Sequence, residues 1–161
     1  MLENSTIIVF LVLWFSIAIK LLHLYGYKKI FFISTIFGTF CHELAHFSIS
    51  FVTFGKPRNI SIIPKREQNG YTLGYVESHN INFLNKGLIG MAPLLLLPIA
   101  YYVYISSFND DLPLLCLKAF ILSNLIYSSM PSSTDFRVAG LFQSLIIISG
   151  GFFASYTAYI Y

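Results

Sequence analysis

The residues best equipped for chemistry are His42-Glu43-Leu44-Ala45-His46, which form the pattern H-E-x-x-H. Positions four apart share one face of a helix, so His42 and His46 can offer both imidazoles to one metal ion. Glu43 then stands beside that ion, placed to take a proton from a water molecule it activates. Two ring nitrogens and an adjacent carboxylate are the makings of a catalytic metal site that needs a third protein ligand from elsewhere in the chain.

The helix that must carry these residues is apolar. From Ile30 to Phe54 the only charged residue is Glu43. That is about 25 residues, enough to cross a hydrocarbon layer of roughly 30 Å. A carboxylate and two imidazoles at that depth cost several kcal/mol unless a partner compensates, and a divalent cation would do so. Thr35, Thr39, His42, Glu43, His46, Ser50 and Thr53 recur at steps of three and four. They define one polar face, predicted to point at protein or a water-filled cleft, with Phe, Ile and Val opposite.

Composition agrees with a membrane setting. Of 161 residues, 56% are hydrophobic and 11% charged, with 16 Phe and 11 Tyr. A soluble domain carries about 25% charged residues. The reading is a single-domain, all-α polytopic membrane protein with no appended soluble module. The net charge of +3 is an orientation signal and not the footprint of nucleic-acid binding. Cys41 and Cys116 fall in apolar runs and read as packing residues, not as a disulfide.

Five spans are expected, over 5–24, 30–54, 87–108, 112–129 and 136–159. The first is too long for a signal peptide and lacks a small-residue cleavage site, so it is expected to remain as an anchor. Lys20 can snorkel to the headgroups near its end. The loop 55–86 is the one long polar segment. Asn59–Pro64 and Tyr71–Glu77 read as strands around a turn ending in Asn69-Gly70, which predicts a membrane-associated β-hairpin. Gly74 inside the second strand predicts a bulge or a close backbone approach. In the third span, Pro93 and Pro98 free backbone groups that a neighbouring helix or cavity must receive. Pro131 ends the fourth span. Ser132, Ser133 or Thr134 then caps the next helix, leaving Asp135 in its first turn, a favourable place for a carboxylate.

Lys56, Arg58, Lys65, Arg66 and Lys86 lie in the hairpin loop, and Arg137 follows Asp135. The positive-inside rule puts these segments and the amino terminus in the cytoplasm. Lys28, Lys29, Asp110 and Asp111 are then expected on the other side. His46 lies eight residues before Phe54, about 12 Å from that end of the helix, and Asp135 is expected near the same end. Asp135 is therefore the first candidate for the third ligand, with His79 next.

These features resemble the site-2 proteases, a family of intramembrane zinc metalloproteases. The resemblance rests on H-E-x-x-H within a span, the β-hairpin after it, and an Asp beside a proline-containing helix break. It covers about Ile30 to Gly140. It implies one Zn²⁺ held by His42, His46 and Asp135, with Glu43 as general base. The family commonly has Gly after this Asp, where Phe136 stands here. Gly90-Met91-Ala92-Pro93 is a loose counterpart of the family's substrate-positioning segment.

The activity implied is zinc-dependent endopeptidase cleavage of transmembrane protein substrates in the lipid bilayer, in the plasma membrane and nearer its cytoplasmic side. An unwound substrate would pair along the second strand, at Tyr71, Leu73 and Tyr75. Asn124, Ser128 or Ser129 would donate hydrogen bonds to the oxyanion. Two other readings use the same residues. A zinc-stabilised adaptor binding a partner helix would want a fourth protein ligand, and Cys41 points about 100° away from His42 on a helix. A metal transporter would want ionisable groups through several spans, which the first and fifth lack.

Overall fold

The computed structural model describes residues 2–67 and 70–160, with side chains described for 4–64 and 73–158. The chain is mostly helical. Helices α1 (Leu2–Leu24) and α2 (Lys28–Val52) are followed by short strands β1 (Pro57–Ser61), β2 (Lys65–Glu67), β3 (Gly70–Thr72) and β4 (Tyr75–Ser78). Then come α3 (Lys86–Gly90), a 3-10 turn (Ala92–Leu95), α4 (Leu96–Ile105), α5 (Leu112–Ser128), α6 (Ser133–Ala139) and α7 (Leu141–Ile160).

Helix α5 is the hub and packs against α1, α2 and α4. The buried cluster joins Ile8 of α1, Leu96 and Ala100 of α4, and Leu115, Ala119, Leu122 and Leu125 of α5. Small Ala100 and Ala119 let the backbones approach where no hydrophobic effect would drive helices together in lipid. Large apolar residues such as Phe10, Trp14, Ile33, Phe51 and Phe152 are exposed on the outside. Among the described residues, three helices are long and apolar enough to cross a membrane: Asn4–Leu24, Lys28–Val52 and Leu141–Ala158.

The other two expected spans differ. The 87–108 segment is broken after Gly90, leaving only the short apolar stretch Ala92–Ile105. Pro93, near the start of the 3-10 turn, has no N–H to continue the helix. Helix α5 reaches spanning length only together with α6, and the two are bent by 51°. Helix α6 is a separate element, not the start of a span beginning at residue 136. Gly140, at φ +77°, divides it from α7.

The predicted face of α2 is realised. Thr35, Thr39, Glu43, His46 and Ser50 are buried, while Ile33, Phe37, Phe40 and Leu44 are exposed. Thr35 and Thr53 satisfy their hydroxyls by donating to the carbonyls of Phe31 and Ile49.

The hairpin forms in two pieces. β1 pairs antiparallel with β4, and β2 with β3. The register sets Ser61 against Tyr75 and Lys65 against Thr72, so the ladder is interrupted at Ile62–Pro64 opposite Leu73–Gly74. The irregularity in pairing falls at Arg58, between Pro57 and Asn59. Gly74 instead makes the close approach. Residues Gln68 and Asn69 of the expected turn lie outside the described residues.

The hairpin runs back along α2. Ser78 Oγ meets Ser50 Oγ at 2.7 Å, and Gly74 abuts Glu43. Seven helical residues advance about 10.5 Å and four strand residues about 13 Å, so strand and helix keep step. The hairpin therefore descends beside the apolar helix to the level of Glu43.

One expectation of sidedness is corrected. Asn4 Nδ2 donates to the carbonyls of Phe108 and Asp110, each at 3.0 Å. The acidic turn thus lies at the amino-terminal end of α1, while Lys28 and Lys29 follow its other end. Lys118 closes the same turn, 2.7 Å from Asp110 Oδ2.

Candidate metal centre

Among the described residues, His42, His46 and Asp135 form the one group of His, Cys, Asp and Glu side chains close enough to share a metal ion. His42 Nε2 lies 3.2 Å from His46 Nε2 and 3.3 Å from Asp135 Oδ2, and His46 Nε2 lies 3.2 Å from Asp135 Oδ1. Zinc–ligand bonds of about 2.0–2.1 Å imply edges of about 3.3–3.4 Å between tetrahedral ligands. The observed triangle fits that size.

The protons make the stronger argument. His42 Nδ1 donates to Ser128 O at 2.7 Å, and His46 Nδ1 donates to Ile89 O at 2.7 Å. A carbonyl oxygen only accepts, so each neutral ring carries its hydrogen on Nδ1 and turns a bare lone pair on Nε2 inward. Two such lone pairs and a carboxylate face one another across about three ångströms. Three such acceptors converging on one point could share a metal cation, and carbonyl-anchored imidazoles are the usual support for one.

Both anchoring carbonyls sit at breaks in helices and lack their i+4 donor, though Ile89 O also accepts a backbone N–H at the end of α3. The helical donor to Ile89 O would be residue 93, which is Pro93 and has no N–H. The donor to Ser128 O would be the amide of Ser132, which instead donates to Asp135 Oδ2 at 2.6 Å. The Ser132 hydroxyl accepts from the Asp135 amide at 3.2 Å, completing a capping box at the start of α6. The cap therefore orients the Asp135 carboxylate and frees the carbonyl that orients His42.

Glu43 is buried next to the triad, and a Cβ at Gly74 would stand 2.7 Å from its Cγ and 2.8 Å from its Oε1. Around these groups opens a cleft of about 1190 Å³. It is lined by His42, Glu43, His46 and Asp135, by Leu73, Gly74, Tyr75 and Val76 of the hairpin, and by Ser128, Ser129 and Ser132. Small-ligand pockets span about 300–1,000 Å³, so this cleft has room for a longer occupant.

The remaining candidates divide. Leu73 and Tyr75 line the cleft. Tyr71 pairs through its backbone with Arg66, and its side chain lies outside the described residues. Asn124 is buried against Gly38 and its Nδ2 donates to Phe120 O, so it faces the α2–α5 contact and not the cleft. His79 is exposed, and its amide donates to Lys56 O. Cys41 packs on the apolar cluster. The carbonyls of Ser128 and Ile89 were not foreseeable as residues, though Pro93 and Pro131 signalled the breaks.

No protein-family model matches the chain, and no curated protein or solved structure matches it significantly.

Proposed function

We propose that this protein is an intramembrane zinc-dependent endopeptidase of the site-2 protease kind, acting on transmembrane segments of other proteins. The observation that carries the reading is the convergence of two imidazole nitrogens and a carboxylate beside a buried glutamate on an apolar helix. Zn²⁺, when bound by His42, His46 and Asp135, would supply Lewis-acid polarisation of a carbonyl and acidify a water molecule.

The protein's own groups do the rest. Glu43, adjacent to the triad, accepts the proton of the attacking water and passes it to the leaving amine. The Ser128 and Ile89 carbonyls keep both imidazoles in the tautomer that leaves Nε2 open. Gly74 packs its backbone against the Glu43 side chain and helps hold it beside the triad. A helical substrate hides its carbonyls in its own hydrogen bonds and must be unwound before attack. The segment Leu73–Val76 lines the cleft where the ladder is interrupted, a suitable place for an extended chain to pair.

The setting is a multi-pass protein of the plasma membrane. The exposed Lys56 and Arg58 follow α2, Arg137 lies in α6, and Lys86 approaches Gly140. These charges favour a cytoplasmic position for this end of the site. The test is co-expression with a panel of single-span membrane proteins, comparing wild type with Glu43→Gln. Cleavage by wild type alone supports the reading. Stoichiometric zinc without cleavage of any substrate would favour the adaptor.

A further inference from the structure

We propose that Gly38 and Gly90 are positioning residues for the metal centre, each holding one arm of the ligand set at its working distance. The proposal rests on the metal reading above. Gly38 lies one turn before His42 on α2, and Asn124 lies one turn before Ser128 on α5. A Cβ at Gly38 would collide with Ser128 Oγ and stand 2.8 Å from Asn124 O. The two helices therefore touch through bare backbone, one turn from the point where Ser128 O receives His42 Nδ1.

The other arm repeats the device. Gly90 follows Ile89, whose carbonyl anchors His46. A Cβ at Gly90 would stand 2.5 Å from Asp135 O and 2.7 Å from Ala139 Cβ. The contact between α3 and α6 thus fixes the Asp135 backbone relative to the carbonyl that holds His46. Both contacts are too close for the neighbours to yield without moving backbone. Gly150 and Gly151 of α7 have nothing within 4 Å, so small residues in this chain are not all packed this way. A shift of a few tenths of an ångström in either arm would open a triangle whose edges are 3.2–3.3 Å.

The experiment is a zinc titration of the purified full chain in detergent, read by competition with a chromophoric chelator. Folding of each metal-free variant is checked by circular dichroism. Gly38→Ala and Gly90→Ala are expected to weaken zinc binding about 10–100-fold, the range for groups that orient metal ligands, and Gly150→Ala to leave it unchanged. Gly38 acts through His42, so Gly38→Ala should add less than about twofold in a His42→Ala background. General loosening of the fold would still lower the residual affinity there. Should Gly38→Ala not fold, Gly38→Ala with Ser128→Gly relieves the hydroxyl contact and is expected to bind with intermediate affinity. Wild-type affinity in both single variants, or an undiminished effect of Gly38→Ala without His42, would overturn the positioning role alone. Failure of the wild type to bind zinc would overturn the metal reading and this proposal with it.

Discussion

His46 donates from Nδ1 to the carbonyl of Ile89 at 2.7 Å, and that carbonyl, shared with a backbone N–H at the end of α3, lacks its i+4 donor because residue 93 is proline. The break at the end of α3 thus leaves Ile89 O room to orient a candidate metal ligand as well. Pro93→Ala would restore an N–H that competes for Ile89 O. The expected outcome is a loss of about tenfold or more in zinc affinity, measured by chelator competition, with the fold retained.

In the proposed mechanism Glu43 carries the acid–base step without being a ligand. Glu43→Gln keeps shape and hydrogen bonding but cannot take a proton. Zinc content is expected to stay at the wild-type level while cleavage falls at least about 100-fold. Retained cleavage would remove Glu43 from its role.

The capping box at α6 ties stability to the metal site. Ser132→Ala removes the acceptor for the Asp135 amide. Loss of such a cap costs about 0.5–2 kcal/mol, and the carboxylate loses its fixed orientation. Both a lower unfolding midpoint and weaker zinc binding are expected. Ser133→Ala, one residue on and exposed, should change neither.

Much of this was legible in the chain. The H-E-x-x-H pattern and the polar stripe could be read because helical period and apolar flanks leave few other uses for buried His and Glu. Asp135 could be placed because Pro131 must end a helix and Ser132 can start one. The carbonyls of Ser128 and Ile89 could not, since a backbone acceptor has no residue identity of its own. Pro93 marked a disturbance in the third span, but hydropathy still counted the segment as one crossing, because an apolar stretch scores the same whether or not a proline interrupts it. The acidic turn was assigned to the wrong end of α1 because counting spans assumes that each apolar run crosses once. The 51° bend between α5 and α6 shows that one does not run straight.

Gly74 is where the hairpin meets the chemistry. Gly74→Ala would put a methyl group against the Glu43 side chain. Zinc binding should persist, since none of the three ligands is touched, while cleavage falls. A matching loss of zinc would mean that the hairpin supports the ligands and not Glu43.

The most direct measurement is the metal content and ligand set of the purified protein, by elemental analysis and X-ray absorption. The account predicts one zinc per chain, bound by two imidazole nitrogens and a carboxylate oxygen, and a sharply reduced zinc content in purified His42→Ala and Asp135→Ala, where only a weaker residual site remains. A wild-type protein that takes up no zinc, or an Asp135→Ala variant that keeps its full complement, would contradict it.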